Sequence, residues 1–221
     1  MITTSVGPVT NAVKRPRLTR RERAAATRVR MIEAAIAVFV ENGWNGTRMG
    51  DIAERAGVAV QTLYFTFHTK PELLEACYHH AVTGGPGGKQ PMDTPELQEA
   101  FSSRTGRAAL RAFARGNTVI TSRAAAVDAV AAAAVHEPDV LRVRNHSEAL
   151  RRENFEALAR SLDQRFELRV DTRTAADLLM VLGGGSTYLA LTGCGWTDEQ
   201  FTDWLADTLA TQLLKHPGRA R

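Results

Sequence analysis

The sequence predicts an all-α protein in which a small N-terminal three-helix head precedes a larger C-terminal helical bundle, with about nine helices in total. Ala, Leu, Glu and Arg fill long segments while β-branched runs are scarce, a balance that favours helices. Apolar residues recur at three- and four-residue steps, which is typical of helices with one buried face. A stretch rich in Gly and Pro at residues 84–94 predicts a linker between the two parts.

Four helices are predicted before the linker. Their ranges are about 24–42, 47–57, 60–65 and 70–83. Gly43 follows the first apolar stripe as a stop signal, and Gly57 ends the second helix. Pro71 suits the first turn of the fourth helix, where its missing N–H is harmless. These helices, over residues 23–83, form the predicted N-terminal domain.

Five further helices are predicted in a C-terminal domain of residues 95–221. Their ranges are about 95–115, 118–135, 138–163, 172–193 and 198–215. Pro138 opens one of them, and Thr197 with Gln200 predicts a capped start for the last.

All of the excess positive charge lies in the first part of the chain. Residues 1–83 hold 11 Lys and Arg against 7 Asp and Glu, whereas residues 84–221 hold 17 of each. Basic groups gathered in this way favour phosphate binding, although a basic tail kept for solubility would look similar. Residues 1–22 lack a helical period and predict a flexible basic arm, in which Arg20 and Arg21 could lie along phosphates or enter a minor groove.

Residues 51–67 predict a helix-turn-helix. Ala53 is small enough for a close crossing of two helices, and Gly57 suits a turn with positive φ. The third helix then presents short or hydrogen-bonding side chains on its outer face: Val60, Gln61, Thr62, Tyr64 and Thr66. Such a face fits the major groove of DNA, where the amide of Gln61 could pair with adenine. An ordinary corner inside a helical bundle is the alternative interpretation.

The same region resembles the tetracycline-repressor (TetR) family of bacterial regulators. The resemblance covers residue 27 to about residue 78. Its carrying segments are AVFVENGWNGT (37–47), DIAERAGV (51–58), TLYFTF (62–67) and TKPELL (69–74). It implies a homodimer with a three-helix DNA-binding head and a larger C-terminal domain that dimerises and binds an effector.

The resemblance also implies a role for individual positions. Thr47 and Arg48 would meet phosphate at the start of the second helix, while Tyr64 and Lys70 would each bind a backbone phosphate. The base edges would be read by Val60, Gln61 and Thr62.

Three positions depart from the family pattern. Ala59 replaces the usual Ser or Thr cap, so weaker capping of the recognition helix is expected. Thr66 replaces a His or Tyr, which shortens or removes a phosphate contact. Gly50 replaces a longer residue and leaves only its backbone N–H to reach phosphate.

Two sets of apolar residues are candidates for a ligand pocket and a dimer interface. The pocket candidates are Phe101, Leu110, Phe113, Val127, Val130 and Phe155. The interface candidates are Leu178, Leu182, Tyr188, Phe201, Trp204, Leu205 and Leu209. Either set could instead be plain core. Arg111, Arg115 and Arg144 could favour an acidic effector or could simply be solvated.

The remaining features argue against catalysis and metal binding. Cys77 and Cys194 show no metal-type spacing and are expected to be reduced core thiols. Neither a membrane span nor a signal peptide is predicted, so a cytoplasmic location is expected. Glu75 lies one turn before His79, but two such groups do not close a metal site, and the other histidines lack ligand-type partners. No metal, cofactor or catalytic residue is therefore expected.

The sequence therefore predicts a homodimeric repressor that binds a near-palindromic operator in double-stranded DNA and is released by a small molecule. An activator, or a regulator without a ligand, remains an alternative. A small helical enzyme and a helical adaptor that binds only protein are alternatives from other classes.

Overall fold

The computed structural model describes residues 19–216, and ten α-helices account for most of them. They are α1 (Arg20–Gly46), α2 (Met49–Ala56), α3 (Val60–Phe67), α4 (Lys70–Thr83), α5 (Pro95–Ser102), α6 (Gly106–Ala133), α7 (Pro138–Arg165), α8 (Thr172–Leu182), α9 (Gly185–Gly193) and α10 (Asp198–Leu213). A short 3-10 turn, Pro91–Asp93, lies in the predicted linker. The all-α class is confirmed, since the extended pairing in the described part is a single bridge between Leu168 and Leu214.

The first helix begins earlier than predicted. The side chain of Thr19 accepts a hydrogen bond from the backbone of Glu22, whose carboxylate accepts one from the backbone N–H of Thr19. This capping box satisfies two donors at the helix start. Arg20 and Arg21 therefore lie in the first helical turn, and their assignment to a flexible arm is wrong. The rest of that arm, residues 1–18, lies outside the described residues.

Two glycines shape the head as the sequence predicts. Gly43 has a φ of 67° and a ψ of 179°, which breaks α1 into a long helix and a short final turn. Gly57 ends α2 with a φ of 65° in the left-handed region. Side chains with a Cβ rarely adopt either conformation.

The helices of the C-terminal part are divided differently from the prediction. The predicted break near residue 116 is absent, and α6 is continuous from Gly106 to Ala133. Gly116 is a packing position rather than a helix breaker, because a Cβ there would stand 2.2 Å from the side chain of Leu97 on α5. The predicted helix 172–193 is instead two helices, with Gly183 and Gly184 between them.

Two clusters of buried apolar side chains hold the molecule together. One lies within the C-terminal bundle and includes Phe113, Leu162 and Leu205. The other fills the head, but it is completed by α6 and α7 through side chains such as Val127 and Val140. The head therefore packs directly on the bundle, and the domain boundaries at residues 84–94 stay a prediction.

Within residues 19–216, no single helix is both long and apolar enough to cross a membrane. The bent pair α8 and α9, which meet at 41°, passes that test of length and composition when taken together.

Candidate nucleic-acid interface

The crossing of α2 and α3 depends on small residues. Ala53 and Ile52 are buried beneath α3, and Leu63 meets them from the other side with its side chain fully enclosed. The backbone N–H of Val58 donates to the carbonyl of Ala53 at 3.0 Å and closes the turn after Gly57. A bulkier residue at position 53 would separate the two helices and tilt the outer face of α3.

The outer face of α3 is exposed. Gln61, Thr62 and Tyr64 all point away from the head, and the tyrosine is 48% exposed. Phe65, which the sequence reasoning missed, is 85% exposed at the centre of this face, one turn after Gln61. An apolar ring so exposed on a folded head favours a partner surface, and an aromatic side chain can contact the methyl group of thymine.

The structure shows the local environment of the three positions that depart from the family pattern, which are Ala59, Thr66 and Gly50. Ala59 caps the helix without a side-chain hydrogen bond, as predicted. The hydroxyl of Thr66 donates to the carbonyl of Thr62 at 2.8 Å, so it is engaged by its own helix. Val60 is half-buried against the core of the head, which limits its reach toward a base. Gly50 is exposed, with open space where a side chain would stand.

Thr47 does not present its side chain to a ligand. It is only 3% exposed, and its hydroxyl lies 2.7 Å from the carbonyl oxygen of Gly43 and 3.2 Å from that of Val38. These contacts stabilise the end of α1 at the point where Gly43 interrupts the helix. A phosphate contact from this hydroxyl is therefore wrong, because the donor is already used inside the head.

Lys70 is also turned inward. Its ammonium donates to the carbonyl of Thr47 at 2.7 Å and to the carbonyl of Trp44, and it lies 4.2 Å from the centre of the Trp44 ring. Burial lowers the pKa of Lys70, and the more distant Glu137 opposes that shift. The predicted phosphate contact does not agree with this arrangement, in which Lys70 ties the first residue of α4 to the end of α1.

Other basic side chains remain free to meet phosphate. Arg48 is exposed beside the start of α2 and forms no ion pair with residues 19–216, and the same holds for Arg20 and Arg21 at the start of α1. Arg28, which the sequence reasoning did not single out, lies 4.4 Å over the ring of Phe67 and donates to the carbonyl of Thr66. The head that carries the recognition face thus also carries exposed cations, the groups that contact DNA phosphates.

A cavity of about 370 Å³ lies behind the head, between α4, α6 and α7. Phe113 and Phe155 form part of its wall, as does the Gln90–Met92 segment of the linker. The other four pocket candidates do not line this cavity, since their side chains lie in the two cores or against them: Phe101, Leu110, Val127 and Val130.

The arginines that suggested an acidic effector do not line the cavity. Arg111 pairs with Asp203 at 3.2 Å, and Arg115 pairs with Glu99 at 2.7 Å, both on the protein surface. Arg144 pairs with Glu148 at 2.5 Å, so its charge is already neutralised.

The predicted dimer interface is only partly at the surface. Phe201, Leu205 and Leu209 of α10 are fully buried in the chain's own core, so assigning them to an interface is wrong. A stripe of apolar residues on a helix is compatible with the core of one chain and with a dimer interface equally well. The remaining candidates are half-buried against that core: Leu178, Leu182, Tyr188 and Trp204.

Comparison with known proteins identifies the head. Residues 31–77 match the family model described as bacterial regulatory proteins of the tetR family. Through these residues, the N-terminal head is similar to the DNA-binding part of that family. The same region is 43% identical over 56 residues to the HTH-type transcriptional regulator TtgR of Pseudomonas putida. That match spans 25% of this chain and 27% of the relative, so it concerns the head alone.

Solved structures match the fold over most of the chain. NalD of Pseudomonas aeruginosa, described as the secondary repressor of the MexAB-OprM multidrug efflux pump, aligns with a TM-score of 0.66 at 17% identity, covering 89% of this chain and all of that one. FadR of Bacillus halodurans, described as a fatty acid degradation regulator, aligns with a TM-score of 0.64 at 16% identity, covering 83% and 94%. At such low identity these likenesses establish the fold alone.

The names of these three proteins all describe regulators. Within residues 19–216, no group of three or more His, Cys, Asp and Glu side chains could hold a metal ion.

Proposed function

We propose that this chain is a DNA-binding transcriptional regulator that acts as a homodimeric repressor and is released by a small molecule. The observation that carries the proposal is the outer face of α3, where Gln61, Thr62, Tyr64 and Phe65 are exposed together. Hydrogen-bonding groups and an apolar ring on one narrow helix face suit the edges of bases in a major groove. Exposed arginines beside this face supply the contacts that position the helix.

Binding to DNA is tested by fluorescence anisotropy with duplexes selected from a random library. We expect binding that weakens steeply as salt is raised, because each phosphate contact releases condensed counterions. An Ala53→Leu variant should abolish binding by forcing α2 and α3 apart, while Ala132→Leu, at an exposed position of α6, should bind normally. Equal binding by both variants, or none by the native chain at low salt, would refute the proposal.

The path from a ligand to the head runs through α4. Lys70 at one end of this helix holds the end of α1, while Tyr78 and Val82 further along line the cavity. The same helix buries Leu73 and Leu74 in the core of the head. A ligand that enlarges or reshapes the cavity would therefore displace α4 and, with it, the head. Release requires only that the ligand binds the displaced arrangement more tightly than the one that fits DNA.

A homodimer is supported by the exposed apolar surface of α8 and α9. Val181 is 65% exposed, Leu189 is also exposed, and Ala190 lies beside it. A second copy would cover these side chains and place two heads on two half-sites. Val181→Asp should shift the chain from dimer to monomer in sedimentation velocity, whereas Val40→Asp, on the exposed side of α1, should not. A native chain that sediments as a monomer at micromolar concentration would refute this arrangement.

Activation in place of repression remains the second candidate, because the head's geometry is the same for both. A reporter gene placed behind the selected operator distinguishes them. Deleting the regulator should raise expression if it represses and lower it if it activates. The cytoplasmic location stays a prediction from the sequence.

A further inference from the structure

The cavity behind the head has a mainly apolar wall. Phe113 and Phe155 meet edge to face with ring centres 5.2 Å apart, and Leu158 and Ile120 lie beside them. Tyr78 adds a third aromatic ring from α4. A volume of about 370 Å³ lies within the range of small-molecule sites, and such walls fit a ligand with an aromatic or alkyl body.

The charged groups on this wall are unbalanced. Four carboxylates line the cavity, and Arg151 is the one Lys or Arg side chain among its lining residues. The carboxylates are those of Glu75, Asp128, Glu148 and Glu153. Arg144, which stands behind the wall, pairs with Glu148 and lies 3.9 Å from Asp128. Four negative charges against these two positive ones leave an excess of two negative charges around the cavity.

Arg151 is not placed to receive an anion. Its guanidinium donates to the carbonyl of Met180 at 3.2 Å, near the C-terminal end of α8, where a positive charge is favoured by the helix dipole. Burial lowers the pKa of Arg151, which reflects the cost of keeping its charge away from water. An anion would have to compete for these contacts while it faced four carboxylates, and such repulsion discriminates against it.

Asp128 can act as the main partner of a cation. One of its oxygens accepts the hydroxyl of Tyr78 at 3.0 Å, and no hydrogen bond within residues 19–216 uses the other. The Tyr78 ring beside it on the wall adds a negative face that attracts an organic cation. Carboxylate and ring together can replace the water that a cation loses on entry.

We infer that this cavity binds amphipathic organic cations, in which one positively charged nitrogen is joined to an aromatic or alkyl body. The inference rests on the proposed function only in treating the cavity as the effector site. Binding to the cavity can be measured without DNA, so the two ideas can fail separately.

The test compares two probes with similar bodies and opposite charges. Benzyldimethylhexylammonium and para-hexylbenzenesulfonate are titrated into the full-length protein by isothermal calorimetry. His79 and His146 also line the cavity, and the titration is made at pH 8. We expect the ammonium probe to bind at least about tenfold more tightly than the sulfonate, a difference of about 1.4 kcal/mol.

Matched variants test whether the carboxylate of Asp128 is the charge that binds the cation. Asp128→Asn keeps an oxygen for the Tyr78 hydroxyl but removes the negative charge, so it should weaken ammonium binding by about tenfold, or about 1.4 kcal/mol. Asp163→Asn removes an exposed carboxylate on α7 outside the cavity and should change nothing. If Asp128→Asn does not fold, Glu153→Gln at the exposed edge of the cavity should weaken binding in the same direction.

Two outcomes overturn the inference. One is sulfonate binding that equals or exceeds ammonium binding, and the other is the absence of binding by either probe at millimolar concentration. If the sulfonate alone released DNA, the inferred preference for cations would be refuted and the proposed DNA-binding function would stand. If the protein bound the ammonium probe but did not bind DNA, the proposed function would be refuted and the cation-binding cavity would stand.

Discussion

Replacing Lys70 by alanine separates two roles that this residue could have. If its ammonium bound a DNA phosphate, the variant would lose DNA affinity and part of the salt dependence. In the structure the ammonium instead donates to the carbonyls of Trp44 and Thr47, which lie at the end of α1. We therefore expect Lys70→Ala to lower the stability of the head and to leave the salt dependence unchanged.

The size of the stability loss follows from these contacts. A hydrogen bond with a charged donor contributes about 1.5–3 kcal/mol, and there are two of them. Holding a lysine side chain in one conformation costs up to about 2 kcal/mol. Transferring the ammonium from water into the protein adds a second unfavourable free energy, in keeping with the lowered pKa of Lys70. The net loss in the free energy of unfolding should be about 1–2 kcal/mol, which lowers Tm by a few degrees.

Thermal unfolding and anisotropy titrations at several salt concentrations measure both quantities. Lys89→Ala, at an exposed linker position, is the control for stability. Arg48→Ala is the control for a phosphate contact and should reduce the slope of log K against log salt by about 1.8, or about 0.9 for each of the two heads, with little effect on Tm. A Lys70→Ala variant with native Tm and a slope reduced by the same amount would refute this reasoning.

Three further predictions concern the thiols, the recognition face and the cavity. Burial raises the pKa of Cys77 to about 12, whereas Cys194 is exposed and its assignment to the core is wrong. A disulfide reagent should therefore titrate one thiol in the native chain, two after unfolding and none in native Cys194→Ser. Gln61→Ala should relax the preference for one base pair in each half-site by about 1–3 kcal/mol, and an equal loss on every sequence would contradict direct readout. Ala124→Phe on the cavity wall should abolish ligand-induced release of DNA with unchanged DNA affinity in the same anisotropy assay, and a variant that still responds would exclude this cavity as the effector site.

Local patterns predicted the head well. Ala53, Gly57 and Leu63 act within one turn and two short helices, so their spacing alone indicates the crossing and the positive φ. The exposed position of Phe65 could have been found in the same way. It follows Gln61 by one helical turn and lies almost opposite Leu63, so helical periodicity places it on the outer face.

Long-range partners could not be predicted from the same patterns. Lys70 meets a carbonyl 26 residues away at Trp44, and no spacing rule indicates such a contact. The helix break predicted near residue 116 is absent, and the packing of Gly116 against Leu97 on another helix could not be read from a local pattern. The apolar stripe of α10 did not reveal whether a second copy or the same chain covers it, and the structure places Leu205 inside its own core.

The central claim is that Gln61 reads a base edge in the major groove from the outer face of α3. The most direct measurement replaces each adenine of the selected half-site in turn by 7-deazaadenine, which lacks the major-groove acceptor and leaves the minor groove intact, and titrates the native chain and Gln61→Ala on every duplex. We predict one position where the replacement weakens binding of the native chain by about 1–3 kcal/mol and does not affect Gln61→Ala. Replacements that cost nothing at any position, or that cost both proteins the same, would contradict the account.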